Sequence, residues 1–219
     1  MQKNIKRIEE QFKMNPDFII KEIKISLFKT IYILYLETVS SSNKINDYIL
    51  KNLILESENL NEHNIENYIA SPNNLTIKNI DQCEFYLTNG YTLVILNNKI
   101  IAVETKADIN RGIEASTIES SINGPKDSFT ENIQINTGLI KRRIKSSSLK
   151  TITKIIGRKT NTNVSIMYLE DIADTSLINN ISKKLDHIDI DGIVDSSTLG
   201  FLLSDESKNV YPNILQTER

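Results

Sequence analysis

The chain of 219 residues has one cysteine, Cys83, no tryptophan, two histidines, 7 glycines and 4 prolines. One cysteine makes no internal disulfide, and no CxxC, CxxH or clustered-histidine spacing exists to hold zinc, so a reducing compartment is expected. So little Gly and Pro excludes collagen-like and linker sequence and favours long regular elements. No charge of one sign dominates: 26 Lys plus Arg against 28 Asp plus Glu leave a formal net charge of −2, and no global basic field recruits nucleic acid. The longest apolar run, residues 31–36, is far short of the roughly 20 residues that cross a bilayer as a helix. After Met1 the chain continues polar and helical, so no secretory signal is read and a soluble polypeptide is expected. No GxxxxGK[ST], GxGxxG or GxSxG occurs, which leaves nucleotide cradles and serine hydrolase chemistry without support.

What is present is globular composition, 39% hydrophobic and 25% charged, enough for one or two cores. Apolar positions at Ile5, Ile8 and Phe12, then Phe18, Ile19 and Ile23, predict two short helices either side of Pro16-Asp17. A strand is expected from Lys29 to Val39, closed by Ser40-Ser41-Ser42-Asn43 as turn and N-cap. Helices follow around Ile45, Tyr48, Ile49 and Leu53, around Ile65, Tyr68 and Ile69, and over 80–87, the last stopped by Asn89-Gly90. Residues 91–96 and 99–104 flank Asn97-Asn98, a two-residue hairpin turn. The second half predicts a helix from a Ser128/Glu131 capping box to about Lys145, with Asn136 buried on its apolar stripe. Strands at 149–156 and 164–169, a helix at 176–185, a short strand at 192–194 and a helix at 197–203 complete it. The fold class is α/β, two small α/β subdomains, divided into residues 1–107 and 108–219.

Tyr35-Leu36-Glu37-Thr38-Val39 and Tyr168-Leu169-Glu170-Asp171-Ile172 lie 133 residues apart, each followed by a polar cap and an amphipathic helix, and Ile45-Asn46 falls on Ile178-Asn179. A duplicated strand-loop-helix module gives this pattern; so does chance, because capped helices after apolar strands are common.

His187 sits among Asp186, Asp189 and Asp191, but a calcium-loop alignment puts His187 and Thr198 where carboxylates are required, so a turn with solvated carboxylates is expected. Cys83 reads as a small core residue. Lys141, Arg142 and Arg143, with Lys145, Lys150, Lys154, Arg158 and Lys159, gather the strongest local charge in the chain. They suit anionic headgroups or an acidic partner, or, for Lys141, a solvated cation offsetting a helix dipole. No catalytic, metal or cofactor constellation is found.

Arg111-Gly-Ile-Glu114, Glu119, Asn123-Gly124-Pro125 and Phe129-Thr-Glu131, followed by Asn136-Thr137 and the run 139–144, resemble a signature of the A subunit of GerA-type spore germination receptors. Gly157-Arg158-Lys159-Thr160, Ile188-Asp-Ile-Asp-Gly-Ile193, Asp195-Ser196, Tyr211-Pro212 and 216–219 keep that family's order. Departures fall at Ala115-Ser116, Asn123 and Ser128. The resemblance implies a non-enzymatic N-terminal domain facing the cytosol of the spore core, in a larger protein of the spore's inner membrane. It would couple nutrient sensing to opening of a membrane ion pathway, with a transporter-like subunit, a lipoprotein subunit and a homo-oligomer of itself as partners. A small-molecule binding module with the germinant in the cleft between two subdomains is the alternative. Interaction candidates are Lys141, Arg142, Arg143, Arg158 and Glu119; Gly124, Pro125, Ser128, Glu131 and Asn136 are read as structural signature. No cofactor and no nucleic acid are expected.

Overall fold

Strands β2 (Lys29–Leu36), β4 (Tyr91–Leu96) and β5 (Lys99–Glu104) are apolar at nearly every position because both faces of their sheet are covered. On one face Leu34, Leu36, Leu93, Ile95, Ile100 and Ala102 meet α1 (Gln2–Gln11) and α4 (Gln82–Thr88) through Ile5, Ile8, Cys83 and Leu87. On the other, Ile31, Ile33, Val94, Leu96, Ile101 and Val103 meet Ile49, Leu53, Leu60 and Ile65. Each fully buried Ile or Leu contributes about 1.5–3 kcal/mol, so this two-sided core dominates the stability of the unit. With edge strands β1 (Phe18–Ser26) and β3 (Asn74–Ile77), the antiparallel order is β1-β2-β4-β5-β3. Asn97 turns the β4–β5 hairpin with φ 53°, and Gly90, φ 81°, turns the chain from α4 into β4.

The computed structural model describes residues 2–26, 29–55, 60–108, 128–193 and 195–203. Among them, residues 2–108 and 134–149 form one compact unit; residues 128–133 and 150 onward form the other. The stretch 134–149, expected with the second half, therefore packs with the first. It carries α5 (Ile133–Arg143), which starts after the expected capping box rather than at it. Ser128 and Glu131 precede the helix, and its buried positions are Thr137, Gly138, Leu139 and Lys141, with Asn136 only half-buried.

Residues 18–23 are a strand, not a helix. Phe18 and Ile20 point to one core and Ile23 and Ile25 to the other, a two-residue period that pairing with β2 fixes. The helical run after β2 is continuous but uneven: α2 (Ser42–Ile45), capped by Ser41, widens into a π turn at Asn46–Leu50 and resumes as α3 (Lys51–Leu55). The helix expected around Ile65 is one 3-10 turn, Ile65–Tyr68, because the Ala70 N–H leaves the helical pattern to donate to the Tyr48 carbonyl at 3.0 Å. β3 was not foreseen; it is short and its first three residues are exposed.

In the second unit β6 (Leu149–Ile156) and β7 (Thr162–Leu169) form a two-stranded sheet. Ile156, Val164 and Ile166 pack against Ile181 and Leu185 of α6 (Thr175–Asp186) and Leu199, Leu202 and Leu203 of α7 (Ser196–Leu203). Gly192 and Ile193 are not a strand, since the backbone of Ile190, Asp191 and Ile193 is bound to the β6–β7 turn instead, and Val194 lies outside the described residues.

The sequence echo is also structural. β2 and β7 occupy positions offset by 133 residues, and so do the N-caps Ser41 and Asp174. After each strand the same two bonds form: Val39 and Ser40 donate to the Leu36 carbonyl at 3.3 and 3.0 Å, Ile172 and Ala173 to that of Leu169 at 3.1 and 2.8 Å. Ile45 and Ile178 are buried at equivalent turns of the helices that follow. The same offset brings α1 over α5 and β1 over β6, so the correspondence extends to a helix-strand-strand-helix module.

Candidate functional site

The C-terminal end of α5 carries Lys141, Arg142 and Arg143, and the structure separates their roles. Lys141 is buried, with its ammonium paired to the Asp17 carboxylate and 3.2 Å from the Asn15 side-chain oxygen. That carboxylate also accepts from the Thr38 hydroxyl at 2.5 Å. The corner bearing it is fixed by its own backbone: Asn15 N–H donates to the Phe12 carbonyl, and Glu37 N–H to that of Asp17, both at 2.9 Å. Burial lowers the Lys141 pKa, and the Asp17 charge opposes the shift. The expectation of a solvated cation at this position is thus corrected: one turn of helix turns Lys141 inward, where an acid awaits it.

Arg142 and Lys145 face a cleft of about 310 Å³ on the first unit, lined among the described residues by Val39, Thr88, Asn89, Lys106, Arg142 and Lys145. Each cation is oriented by a neighbour. The Arg142 guanidinium donates to the Ala107 carbonyl at 2.8 Å. The Lys145 ammonium donates to the Asn89 Oδ1 at 2.8 Å, while the Asn89 Nδ2 donates to the Phe85 carbonyl at 2.7 Å, which sets the amide's orientation. Lys106 pairs with Glu104 at 2.9 Å and lies 5.0 Å from the Tyr91 ring centre; the hydrogen bond to Glu104 raises its pKa. Gly90 lets these strands close up: a Cβ there would lie 2.7 Å from the Val39 carbonyl and 3.0 Å from Lys106 Cγ. Arg143 is exposed and outside the cleft.

The rest of the basic stretch is matched by acids within the second unit. Lys150 pairs with Glu170 at 3.3 Å, Lys154 with Asp186 at 2.7 Å, Arg158 with Asp189 at 2.7 Å and Lys159 with Asp191 at 3.0 Å. The carboxylates around His187 are therefore ion-paired rather than merely solvated. Beneath the pairs, Arg158 and Lys159 N–H donate to the Ile190 and Asp191 carbonyls at 3.0 and 2.8 Å. Thr162 donates to the Ile193 carbonyl at 2.9 Å. Two segments of the sequence signature, 157–160 and 188–193, thus form one junction, in which a Cβ on Gly192 would sit 2.4 Å from Thr160 Cγ2. His187 ends α6, with Nδ1 2.6 Å from the Lys183 carbonyl.

Of the other residues singled out, Glu119, Gly124 and Pro125 lie outside the described residues. Cys83 is buried, its thiol pushed up to about 11 by burial first and the Asp81 charge second. Asn15, Asp17 and Lys106 carried no signal: an acid beside a proline reads as a turn, and nothing local marks it as a lysine's partner 124 residues away. Among the described residues no group of three or more His, Cys, Asp or Glu side chains could hold a metal, and no helix is long and apolar enough to cross a membrane.

Residues 6–219 match the family described as Bacillus/Clostridium GerA spore germination protein. The chain is 27% identical to spore germination protein KA of Bacillus subtilis (strain 168) over 225 residues, 99% of this chain and 41% of that protein. It is 28% identical to spore germination protein GerQA of Bacillus cereus over 222 residues, 99% of this chain and 44% of that one. It thus spans less than half the length of these relatives. Among solved structures, it resembles the N-terminal domain of the A subunit of the Bacillus megaterium spore germinant receptor GerK3, with a TM-score of 0.71 and 28% identity, covering 100% of this chain and 84% of that one.

Proposed function

The chain belongs to the Bacillus/Clostridium GerA spore germination protein family, and from that premise we propose that it is the N-terminal domain of a nutrient germinant receptor A subunit. In this reading the rest of the full-length protein spans the spore's inner membrane and this part faces the spore core. It works by contact, not chemistry: nutrient sensing elsewhere in the receptor reaches a membrane ion pathway through the subunits that this domain touches. A transporter-like subunit, a lipoprotein subunit and further copies of the A subunit are the proposed partners.

The observation that carries the reading is the likeness, across the whole chain, to the N-terminal domain of a germinant receptor A subunit. The exposed end of α5 is the proposed contact, because Lys141 ties that helix down and Arg143 is left facing outward on it. A helix so anchored transmits a displacement instead of absorbing it.

The test is recovery of the other subunits with a tagged full-length A subunit from detergent-solubilised membranes. Arg143→Glu is expected to reduce it while the A subunit itself stays at its normal level. Unchanged recovery removes the contact role of this helix end. The rival reading, a module that binds the nutrient itself, expects saturable heat when a neutral amino acid or sugar is titrated into the chain; the coupling reading expects none at millimolar concentration.

A further inference from the structure

The offset of 133 residues that carries β2 onto β7 runs on past α6, because the 3-10 turn Ile65–Tyr68 falls within α7. Carried further, the β4–β5 hairpin falls beyond Arg219. In the first unit that hairpin does two things. β4 pairs with β2 from Ile31–Leu96 to Leu34–Leu93, and Ile31, Ile33 and Leu34 are fully buried. The residues after β5 cover the loop after β2: the Ala107 N–H donates to the Val39 carbonyl at 2.9 Å, and the Lys44 ammonium to the Lys106 carbonyl at 2.8 Å. Val39 there is 3% exposed. The counterparts in the second unit are as apolar but face water. β7 carries Val164, Ile166, Met167 and Leu169, yet none of its residues is buried. Ile172, at the position of Val39, is 75% exposed, and Leu177, at that of Lys44, is 54% exposed. Removing such surface from water is the main force that drives one element onto another.

We propose that the edge of β7 away from β6, with Ile172 and Leu177 just past its end, is the docking surface for a β-hairpin supplied by the residues that follow Arg219 in the full-length protein, paired to β7 as β4 is to β2. The relatives have chain to supply it: the match takes up 41% of spore germination protein KA and 44% of GerQA, and it covers 84% of the GerK3 domain. The occupant is this chain's own, because the offset sets the hairpin within about twenty residues of Arg219, where a short tether holds it at millimolar effective concentration. The inference rests on the proposed reading in one respect, that this chain is the first part of a longer protein. It adds a mechanical link to that reading: strand addition makes the second unit continuous with the chain that leads on to the membrane.

Disulfide cross-linking in the detergent-solubilised full-length A subunit tests it. Ser165→Cys on β7, at the position of Tyr32, is combined with cysteines introduced one at a time along the first apolar strand after Arg219. Oxidation is expected to give an intramolecular link at alternate positions of that strand. Thr153→Cys is the control: it sits on β6, its hydroxyl 3.5 Å from that of Ser165, so two strand spacings, about 10 Å, part it from the hairpin and no link is expected. Ser165 is half-buried and Thr153 exposed, so both variants are expected to fold with the parental circular dichroism. Maleimide labelling gives a second measurement. Ile172→Cys is expected to react about tenfold or more slowly than Asn180→Cys, exposed on α6, because the end of the hairpin covers it. No link from Ser165→Cys at any position overturns the proposal. So does a link between two A subunits instead of within one, a link formed as readily from Thr153→Cys, or Ile172→Cys reacting as fast as Asn180→Cys. A native reading frame that stops at Arg219 removes this inference and the receptor reading together; a longer frame in which Ser165→Cys stays unlinked removes this inference alone.

Discussion

The Lys141 ammonium and the Asp17 carboxylate are buried against each other although 124 residues separate them in the chain. Two charges taken out of water together are tolerated; one left alone is not. Asp17→Asn or Lys141→Met is therefore expected to destabilise the first unit by about 3–5 kcal/mol, whereas the joint change Asp17→Asn with Lys141→Met costs distinctly less than either single change. Urea unfolding followed by far-UV circular dichroism measures all three. A joint variant as unstable as the sum of the two singles would mean that the residues do not act as a pair.

That pair also explains what the sequence could and could not disclose. The strands 91–96 and 99–104 and their Asn97 turn were legible because each signal is local: a run of apolar residues, then two that tolerate positive φ. The assignment of α5 to the first unit was not, because it depends on Asp17, Asn89 and Glu84, each far from residue 141 in sequence. Likewise Phe18, Ile19 and Ile23 fit a helical period as well as a strand's, and only the β2 partner decides between them. The basic stretch was legible as charge but not as disposition. Lys141 and Lys150 are buried, two cations face a cleft, and Lys150, Lys154, Arg158 and Lys159 have acid partners.

Gly192 meets Thr160 too closely for any side chain. Gly192→Ala is expected to cost the second unit about 1–3 kcal/mol by overpacking. Adding Thr160→Ser, which deletes the clashing methyl, is expected to recover part of it. Amide hydrogen exchange distinguishes the units: faster exchange confined to residues after 150 supports the assignment, and equal acceleration in β4 and β5 contradicts it.

Cys83 is fully buried and its thiol is held protonated, with a pKa of about 11. A thiol raised above its unfolded value of 9.0 contributes stability that is present below pH 9 and is lost as pH rises towards 11. Between those limits the unfolded chain has released the proton and the folded one has not, so stability falls. The parent is expected to lose stability over that window more steeply than Cys83→Ala, as read by urea midpoints at successive pH values. Alkylation of Cys83 in the native protein at pH 8 is expected to be limited by opening of the first unit.

Arg158 and Asp189 are both largely exposed, and the hydrogen bond between them holds the guanidinium pKa above its usual value. Pairs of this kind are screened by water and salt. Arg158→Gln is expected to leave the urea midpoint of the second unit within error of the parent. A clear drop would give this pair a structural role that its exposure does not support.

The coupling role is tested most directly in spores. Full-length A subunit carrying Arg143→Glu replaces the parent, and nutrient-triggered germination is followed together with the levels of all receptor subunits. The account expects slowed or lost germination with A-subunit levels intact. Germination at the parental rate, with parental levels of every subunit, would contradict it.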